Sequence, residues 1–101
     1  KDYQIKHMGH RIELGEIEVN VNMMEKVSTS CAIYDKEKEK IVLYYVGEIE
    51  ADELIKLLKS KLPRYMIPNK VNKLDRMPLT ANGKIDRVFL SNKYKEKTKE
   101  K

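Results

Sequence analysis

The sequence has no tryptophan, a single cysteine, two histidines, four glycines and three prolines in 101 residues. A lone cysteine cannot form an internal disulfide. We therefore expect Cys31, which lies in a run typical of a strand, to be a reduced thiol of the core. A reduced thiol fits a cytoplasmic location. The cysteine and the histidines do not have zinc-binding spacing, so we expect no metal site.

Long apolar runs are missing as well. A membrane-spanning helix needs about 18 consecutive apolar residues, and the sequence has no such run, so we expect no membrane span. No secretory signal is visible at the start, and the first residue is Lys1 rather than Met. We interpret the chain as a piece of a longer polypeptide. Its composition, 41% hydrophobic and 37% charged, is that of one small globular domain with a modest core.

Positive charge is distributed unevenly along the chain. The net charge of +5 raises nucleic acid as a partner, but residues 93–101 alone carry +3. The sequence has neither the aromatic-basic stripe of an RNA-binding sheet nor a helix-turn-helix pattern. We therefore interpret residues 93–101 as a frayed, lysine-rich tail and expect no nucleic-acid partner. A non-catalytic basic binding module stays open as an alternative.

Two apolar stripes with helical spacing predict two helices. The first helix should end near Met24, and its stripe consists of Leu14, Ile17, Val21 and Met24. The second should stop at Pro63, and its stripe consists of Ala51, Leu54, Ile55, Leu58 and Leu62. Three acidic residues near the start of the first helix are explained by the helix dipole; they are Glu13, Glu16 and Glu18.

Alternating or continuous apolar runs predict strands between the helices. Residues 2–9 alternate and should return through residues 10–12 as a hairpin, with His7 and His10 exposed. Runs at 27–34 and 41–46 flank a charged hairpin tip, the second should be covered on both faces, and 71–74 adds a short strand. A last helix is predicted over 85–94, with Val88, Phe89 and also Leu90 facing inward. The fold class is α+β: a sheet of two or three strands with packed helices, plus an N-terminal β-hairpin.

The segment 79–87 contains an Asn-Gly turn followed by a lysine. Asn82 and Gly83 favour a tight turn, which would hold Lys84 away from the body of the domain. A lysine at that place suits developing negative charge on a phosphate or a carboxylate. An ordinary solvated lysine is the alternative. Arg87, one helical turn further on, would position the loop or pair with Asp86.

Three stretches, 2–18, 62–68 and 79–87, together resemble the C-terminal subdomain of the adenylate-forming ligases. This superfamily contains acyl-CoA synthetases, luciferase-like enzymes and amino-acid-activating domains. Acyl-CoA synthetases typically have serine where this chain has Asn82. The chain is therefore similar to amino-acid-activating members, such as non-ribosomal peptide synthetase adenylation domains and D-alanine–carrier protein ligases. An acyl- or aryl-CoA synthetase subdomain is the alternative within the superfamily.

The resemblance implies that residues 1–92 form a mobile subdomain that rotates about a hinge at Asp2. Lys84 would stabilise adenylate formation, with Asn82 and Gly83 shaping its turn. After the rotation, a second surface would serve thioester formation. Gly9 would let a pantetheine arm pass close to the backbone, Lys6 would act near the phosphate, and Arg11 would brace the loop or contact phosphate. For Asp2, Lys6 and Arg11, ordinary surface positions are the alternative.

The resemblance also implies cofactors and partners. ATP with Mg²⁺ would be bound mainly by a large N-terminal domain of the same enzyme, and phosphopantetheine would be carried by an acyl or peptidyl carrier protein. The isolated fragment should fold but be inactive, because the large domain holds the substrates. The identity of the activated acid is likewise set by that domain.

Overall fold

The computed structural model describes residues 4–7 and 9–99. Its elements are β1 (Gln4–His7), β2 (His10–Glu13), α1 (Leu14–Asn22), β3 (Val27–Asp35), β4 (Lys40–Gly47), α2 (Ala51–Lys59), β5 (Lys70–Leu74) and α3 (Arg87–Lys99). A 3₁₀ turn, Arg64–Met66, precedes β5. The predicted α+β class and the predicted order of elements are confirmed. The predicted hinge, Asp2, lies outside the described residues.

Strand β4 is the centre of a three-stranded sheet with the order β3-β4-β5. Strands β3 and β4 are antiparallel, whereas β4 and β5 are parallel. Ile41, Leu43 and Tyr45 project from one face of β4, and Val42 and Tyr44 project from the other. All five are buried, which confirms the prediction of a strand covered on both faces.

The first face of the sheet is covered by α1 and α2, with the β1–β2 hairpin packed beside them. The predicted stripes supply the core here, because Leu14, Ile17 and Val21 of α1 and Leu54 and Leu58 of α2 are all buried in one cluster. The hairpin joins the same cluster through the buried Ile12 of β2 and the partly buried Ile5 of β1. The hairpin is therefore attached to the first face of the sheet.

The second face is covered by α3, and here the predicted inward side is confirmed for Leu90 but wrong for Val88 and Phe89. Val88 is 70% exposed and Phe89 is 51% exposed, whereas Leu90 is fully buried. Asp86 caps the helix by accepting a hydrogen bond from the Phe89 N–H at 3.0 Å, so α3 begins at Arg87. In that register Leu90 and Tyr94, four residues apart, face the sheet.

Helix α3 also continues to Lys99, beyond the end predicted at Tyr94. The Tyr94 hydroxyl donates a 2.6 Å hydrogen bond to Asp35 at the end of β3 and anchors the middle of the helix. The described part of the lysine-rich segment, residues 93–99, is thus helical rather than frayed. None of the described helices is long and apolar enough to cross a membrane.

The two histidines of the hairpin both contact tyrosines. His10 is exposed as predicted, and its ring stacks on that of Tyr65 with centroids 3.8 Å apart. The predicted exposure of His7 was wrong: it is 3% exposed, and its Nδ1 lies 3.1 Å from the Tyr34 hydroxyl. Tyr34 also donates to the carbonyl of Lys6 at 3.4 Å. These contacts fasten the hairpin to β3 and to the turn before β5.

Candidate functional site

The Asn-Gly segment forms a narrow turn closed by backbone hydrogen bonds. Leu79 and Ile85 form an antiparallel bridge at its base. Inside it, the Thr80 N–H donates to the Lys84 carbonyl at 2.7 Å, and the Gly83 N–H donates to the Thr80 carbonyl at 2.9 Å. Gly83 has φ +83°, the left-handed conformation that favours glycine. The turn predicted from Asn82 and Gly83 is therefore present.

Thr80 is the organising side chain of this turn, and the sequence interpretation missed it. Its Oγ1 accepts hydrogen bonds from the N–H groups of Asn82 and Lys84, both at 3.3 Å. A threonine just before an Asn-Gly pair is the available signal, because threonine hydroxyls bond to backbone groups a few residues away in turns. Thr80 thus holds the backbone on both sides of Gly83.

Lys84 is exposed at this turn. Within the described part of the chain, its ammonium has no carboxylate at ion-pair distance. Two apolar side chains beside it are also exposed, Leu79 at 58% and Val88 at 70%. The structure therefore presents a cation on an ordered backbone, with uncovered apolar surface around its base.

Of the two roles predicted for Arg87, positioning the loop stays a prediction, and the ion pair that the structure shows is with Glu18 rather than with Asp86. The Arg87 guanidinium lies 2.8 Å from Glu18 of α1 and donates to the carbonyl of Ala32 in β3 at 3.0 Å. Asp86 instead caps α3. Glu18 had been explained by the helix dipole alone. Its pairing with Arg87, 69 positions away, leaves no local signal in the sequence.

Cys31 lies beside this ion pair and is fully buried, as predicted for a core thiol. Burial raises the pKa of the Cys31 thiol to about 11, although the nearby Arg87 guanidinium acts in the opposite direction. The thiol is therefore protonated at neutral pH and is no nucleophile.

The β1–β2 hairpin carries the other group of predicted site residues. Lys6 and Arg11 lie directly opposite each other across the two strands, and both are exposed. Gly9, in the turn between them, has φ +80°, and a Cβ placed there would meet no atom within 4 Å. The glycine is therefore demanded by its backbone conformation and not by close packing within this domain.

Two like charges directly opposite on a hairpin destabilise it modestly. Neither Lys6 nor Arg11 has an ion-pair partner within the described residues. Lys6 also lines a groove together with Ile5, Tyr34, Lys36 and Glu39. The hairpin thus offers two uncompensated cations beside an open turn, an arrangement that suits an anionic group.

The hairpin and the lysine turn are attached to opposite faces of the sheet. Ile5 and Ile12 of the hairpin belong to the core of the first face. Ile85, at the base of the lysine turn, packs with Leu90 in the core of the second face. The predicted residues therefore form two groups, Lys6, Gly9 and Arg11 on one element and Asn82, Gly83 and Lys84 on the other.

Metal-binding groups do not assemble among the residues that the structure describes. Nowhere in residues 4–7 and 9–99 do three or more His, Cys, Asp or Glu side chains come together in a way that could hold a metal ion. The Mg²⁺ implied by the resemblance thus finds no donor set among these residues, and we derive no step through it here.

The sequence of this α+β domain matches a known family of enzyme domains. Residues 16–84, more than half of the chain, match the family described as the AMP-binding enzyme C-terminal domain. The chain belongs to this family, which confirms the resemblance to adenylate-forming ligases.

Individual similar proteins indicate which kind of AMP-binding enzyme the chain resembles. The chain is 45% identical over 94 residues to bacitracin synthase 1 of Bacillus licheniformis, covering 88% of this chain and 2% of that protein. It is 29% identical to NpsA of Klebsiella oxytoca, solved with 3-hydroxyanthranilyl-AMSN, with a TM-score of 0.83 over 91% of this chain and 19% of that one. It is 37% identical to holo-AB3403, a four-domain nonribosomal peptide synthetase solved with AMP and glycine, with a TM-score of 0.72 over 84% of this chain and 7% of that one. The chain thus spans only a small part of the proteins it matches.

Proposed function

We propose that this domain is the mobile C-terminal subdomain of an ATP-dependent, AMP-forming ligase that activates an amino acid and loads it onto a carrier protein. The observation that carries the proposal is Lys84, exposed at a turn whose backbone is held by Thr80. A cation fixed in this way can enter a site formed by another domain without having to break an ion pair first.

In the first reaction, the amino-acid carboxylate attacks the α-phosphorus of ATP, and pyrophosphate leaves. The carboxylate and the phosphate repel each other as they approach. The ammonium of Lys84 would lie between them, offset that repulsion and hold the in-line geometry. A well-placed donor of this kind contributes on the order of 3–4 kcal/mol, or a few hundred-fold in rate.

In the second reaction, the acyl group passes from the adenylate to a thiol, and AMP leaves. The phosphopantetheine of a carrier protein supplies that thiol when it is bound. The open turn at Gly9 leaves room for a slender arm along the backbone. Lys6, and Arg11 opposite it on the hairpin, would face the phosphate of the adenylate. Asp2 is proposed as the hinge that exchanges the hairpin for the lysine turn.

The large N-terminal domain of the same enzyme is the proposed partner of the lysine turn, and it would bind ATP with Mg²⁺. Exposed apolar groups beside the turn support a docking surface; they are Leu79, Val88 and Phe89. The share of NpsA outside the matched region leaves room for such a domain. The reduced Cys31 supports a cytoplasmic location for the enzyme.

The amino-acid-activating type is favoured over an acyl-CoA synthetase because bacitracin synthase 1 and the glycine-bound synthetase AB3403 are relatives. A basic module that binds nucleic acid is the other alternative. Specific binding to nucleic acid with a nanomolar Kd at physiological salt would favour it.

The test replaces Lys84 in the parent enzyme. Lys84→Ala should lower ATP–pyrophosphate exchange at least a hundredfold and change transfer from preformed adenylate less than threefold. The matched control is Lys61→Ala, which removes the same charge from another exposed lysine and should change neither reaction. Equal losses in both reactions, or retained exchange, would rule out the proposed role of Lys84.

A further inference from the structure

Glu18 and Arg87 form an ion pair beside strand β3, at one edge of the sheet. Glu18 lies on α1, which packs on the first face, and Arg87 begins α3, which packs on the second. Their charged groups are 2.8 Å apart. Because β3 is an edge strand in the order β3-β4-β5, the pair can meet beside it. It therefore joins the two layers of helices.

The same pair satisfies both backbone polar groups of one residue of the edge strand. Glu18 accepts a hydrogen bond from the Ala32 N–H at 2.7 Å. Arg87 donates to the Ala32 carbonyl at 3.0 Å. An edge strand otherwise exposes such groups to water or to other chains. The two charged residues could therefore not exchange places, because position 18 must supply a hydrogen-bond acceptor and position 87 a donor.

Burial distinguishes this pair from an ordinary surface ion pair. The side chains of Arg87 and Glu18 are 25% and 13% exposed. Those of Lys73 and Glu50, which also form an ion pair, are 41% and 81% exposed. Exposed pairs contribute little, whereas removing one partner of a desolvated pair leaves an uncompensated charge. Glu18 and Arg87 therefore hold a defined geometry that Lys73 and Glu50 need not hold.

The pair lies at the base of the lysine turn. Arg87 is three residues after Lys84, and the intervening Asp86 N–H donates to the Pro78 carbonyl at 3.0 Å. Ile85 bridges to Leu79 on the other strand of the turn. Ile85 and Asp86, the two residues between Lys84 and Arg87, are thus both part of the backbone contacts of the turn. A displacement of Arg87 would therefore displace the Lys84 backbone as well.

We propose that Glu18 and Arg87 are positioning residues for adenylate formation: they fix the start of α3 against β3 and so set where Lys84 presents its ammonium. This inference rests on the proposed function of Lys84. Neither residue touches the substrates in this account. Their effect should therefore be confined to the reaction that uses Lys84.

The test uses the parent enzyme with Glu18→Gln, which keeps the size of the side chain, removes its charge and replaces one of its two acceptor oxygens with an NH2 donor. Misplacement by about 1 Å can cost on the order of a hundredfold in rate. We expect kcat for ATP–pyrophosphate exchange to fall about tenfold or more, with KM for ATP and transfer from preformed adenylate changed less than threefold. Lys73→Ala, which breaks the exposed ion pair, should leave all three unchanged.

A double substitution separates positioning from general damage to the fold. In a Lys84→Ala enzyme there is no ammonium left to place, so adding Glu18→Gln should reduce exchange by less than a further twofold. Should Glu18→Gln prevent folding, Arg87→Lys replaces it, because it keeps a cation without the guanidinium fork and is expected to show the same selective loss.

Three results would overturn the positioning role. They are unchanged exchange in a folded Glu18→Gln enzyme, equal loss in both half-reactions, and a full further loss in the Lys84→Ala background. The single Lys84→Ala variant, measured beside them, reports on the proposed function itself. If that variant retains exchange, the role of Lys84 fails, and the positioning role fails with it.

Discussion

Gly9 offers a prediction in which the stability of two variants differs, whereas their loss of carrier loading does not follow that difference. Its φ of +80° is costly for a residue with a Cβ, and no atom lies within 4 Å of the place where that Cβ would stand. Gly9→Ala should therefore cost only the left-handed penalty of about 1–2 kcal/mol. Gly9→Asn should cost less, because asparagine tolerates this conformation.

In the isolated domain, unfolding followed by circular dichroism measures this penalty. A loss of about 1 kcal/mol lowers the Tm of a domain of this size by roughly 4–8 °C. Gly9→Ala should accordingly have the lower Tm of the two variants, and Gly9→Asn should lie nearer the unsubstituted domain.

In the parent enzyme, the rate of carrier loading should not follow the order of the Tm values. If a pantetheine arm passes the Gly9 backbone, any side chain obstructs it, and the larger asparagine obstructs it at least as much as alanine. Rapid-quench measurement of carrier loading from preformed adenylate should show losses on the order of tenfold for both variants, with exchange unchanged. Loading rates that rank with Tm, or that do not change, would refute the proposed path beside Gly9.

Two further predictions concern the stability of the domain. Gly47→Ala should lower the free energy of unfolding by about 1–3 kcal/mol in urea titrations, because the added Cβ would overlap the Lys26 carbonyl oxygen. Gly15→Ala, a helical position with nothing within 4 Å, is the control and should raise it by roughly 0.5–1 kcal/mol. Although burial alone would raise the pKa of Asp35, hydrogen bonds from Tyr94 and from backbone N–H groups hold it below the ordinary 3.8. The stability that ionised Asp35 contributes is present above pH 3.8 and is lost as the pH falls through the lowered pKa. The loss of unfolding free energy caused by Tyr94→Phe should therefore become smaller below pH 3.8. A loss that stays constant with pH would contradict this coupling.

Helices α1 and α2 and strand β4 could be predicted from the sequence because their signals are local. The stripe of Leu54 and Leu58, for example, gave both the helix and its buried side. Helix α3 has a weaker pattern, since lysines and polar residues surround few apolar ones. Its register depends on the Asp86 cap and on the Tyr94–Asp35 hydrogen bond, and neither shows in the spacing of apolar residues.

The candidate site likewise has features that the sequence predicts and features that it does not. The lysine turn was visible because Asn82 and Gly83 carry a conformational preference of their own. The burial of His7 against Tyr34 and the pairing of Glu18 with Arg87 were not visible, because each joins residues far apart in sequence. Such contacts form only when the sheet and its two helical layers are assembled.

The most direct test of alternating use compares two variants of the parent enzyme in one experiment. The quantity is the ratio of the rate of adenylate formation to the rate of transfer from preformed adenylate. Lys84→Ala should lower this ratio at least thirtyfold, and Gly9→Ala should raise it about tenfold. If both substitutions move the ratio in the same direction, the lysine turn and the hairpin do not serve separate reactions, and the account is wrong.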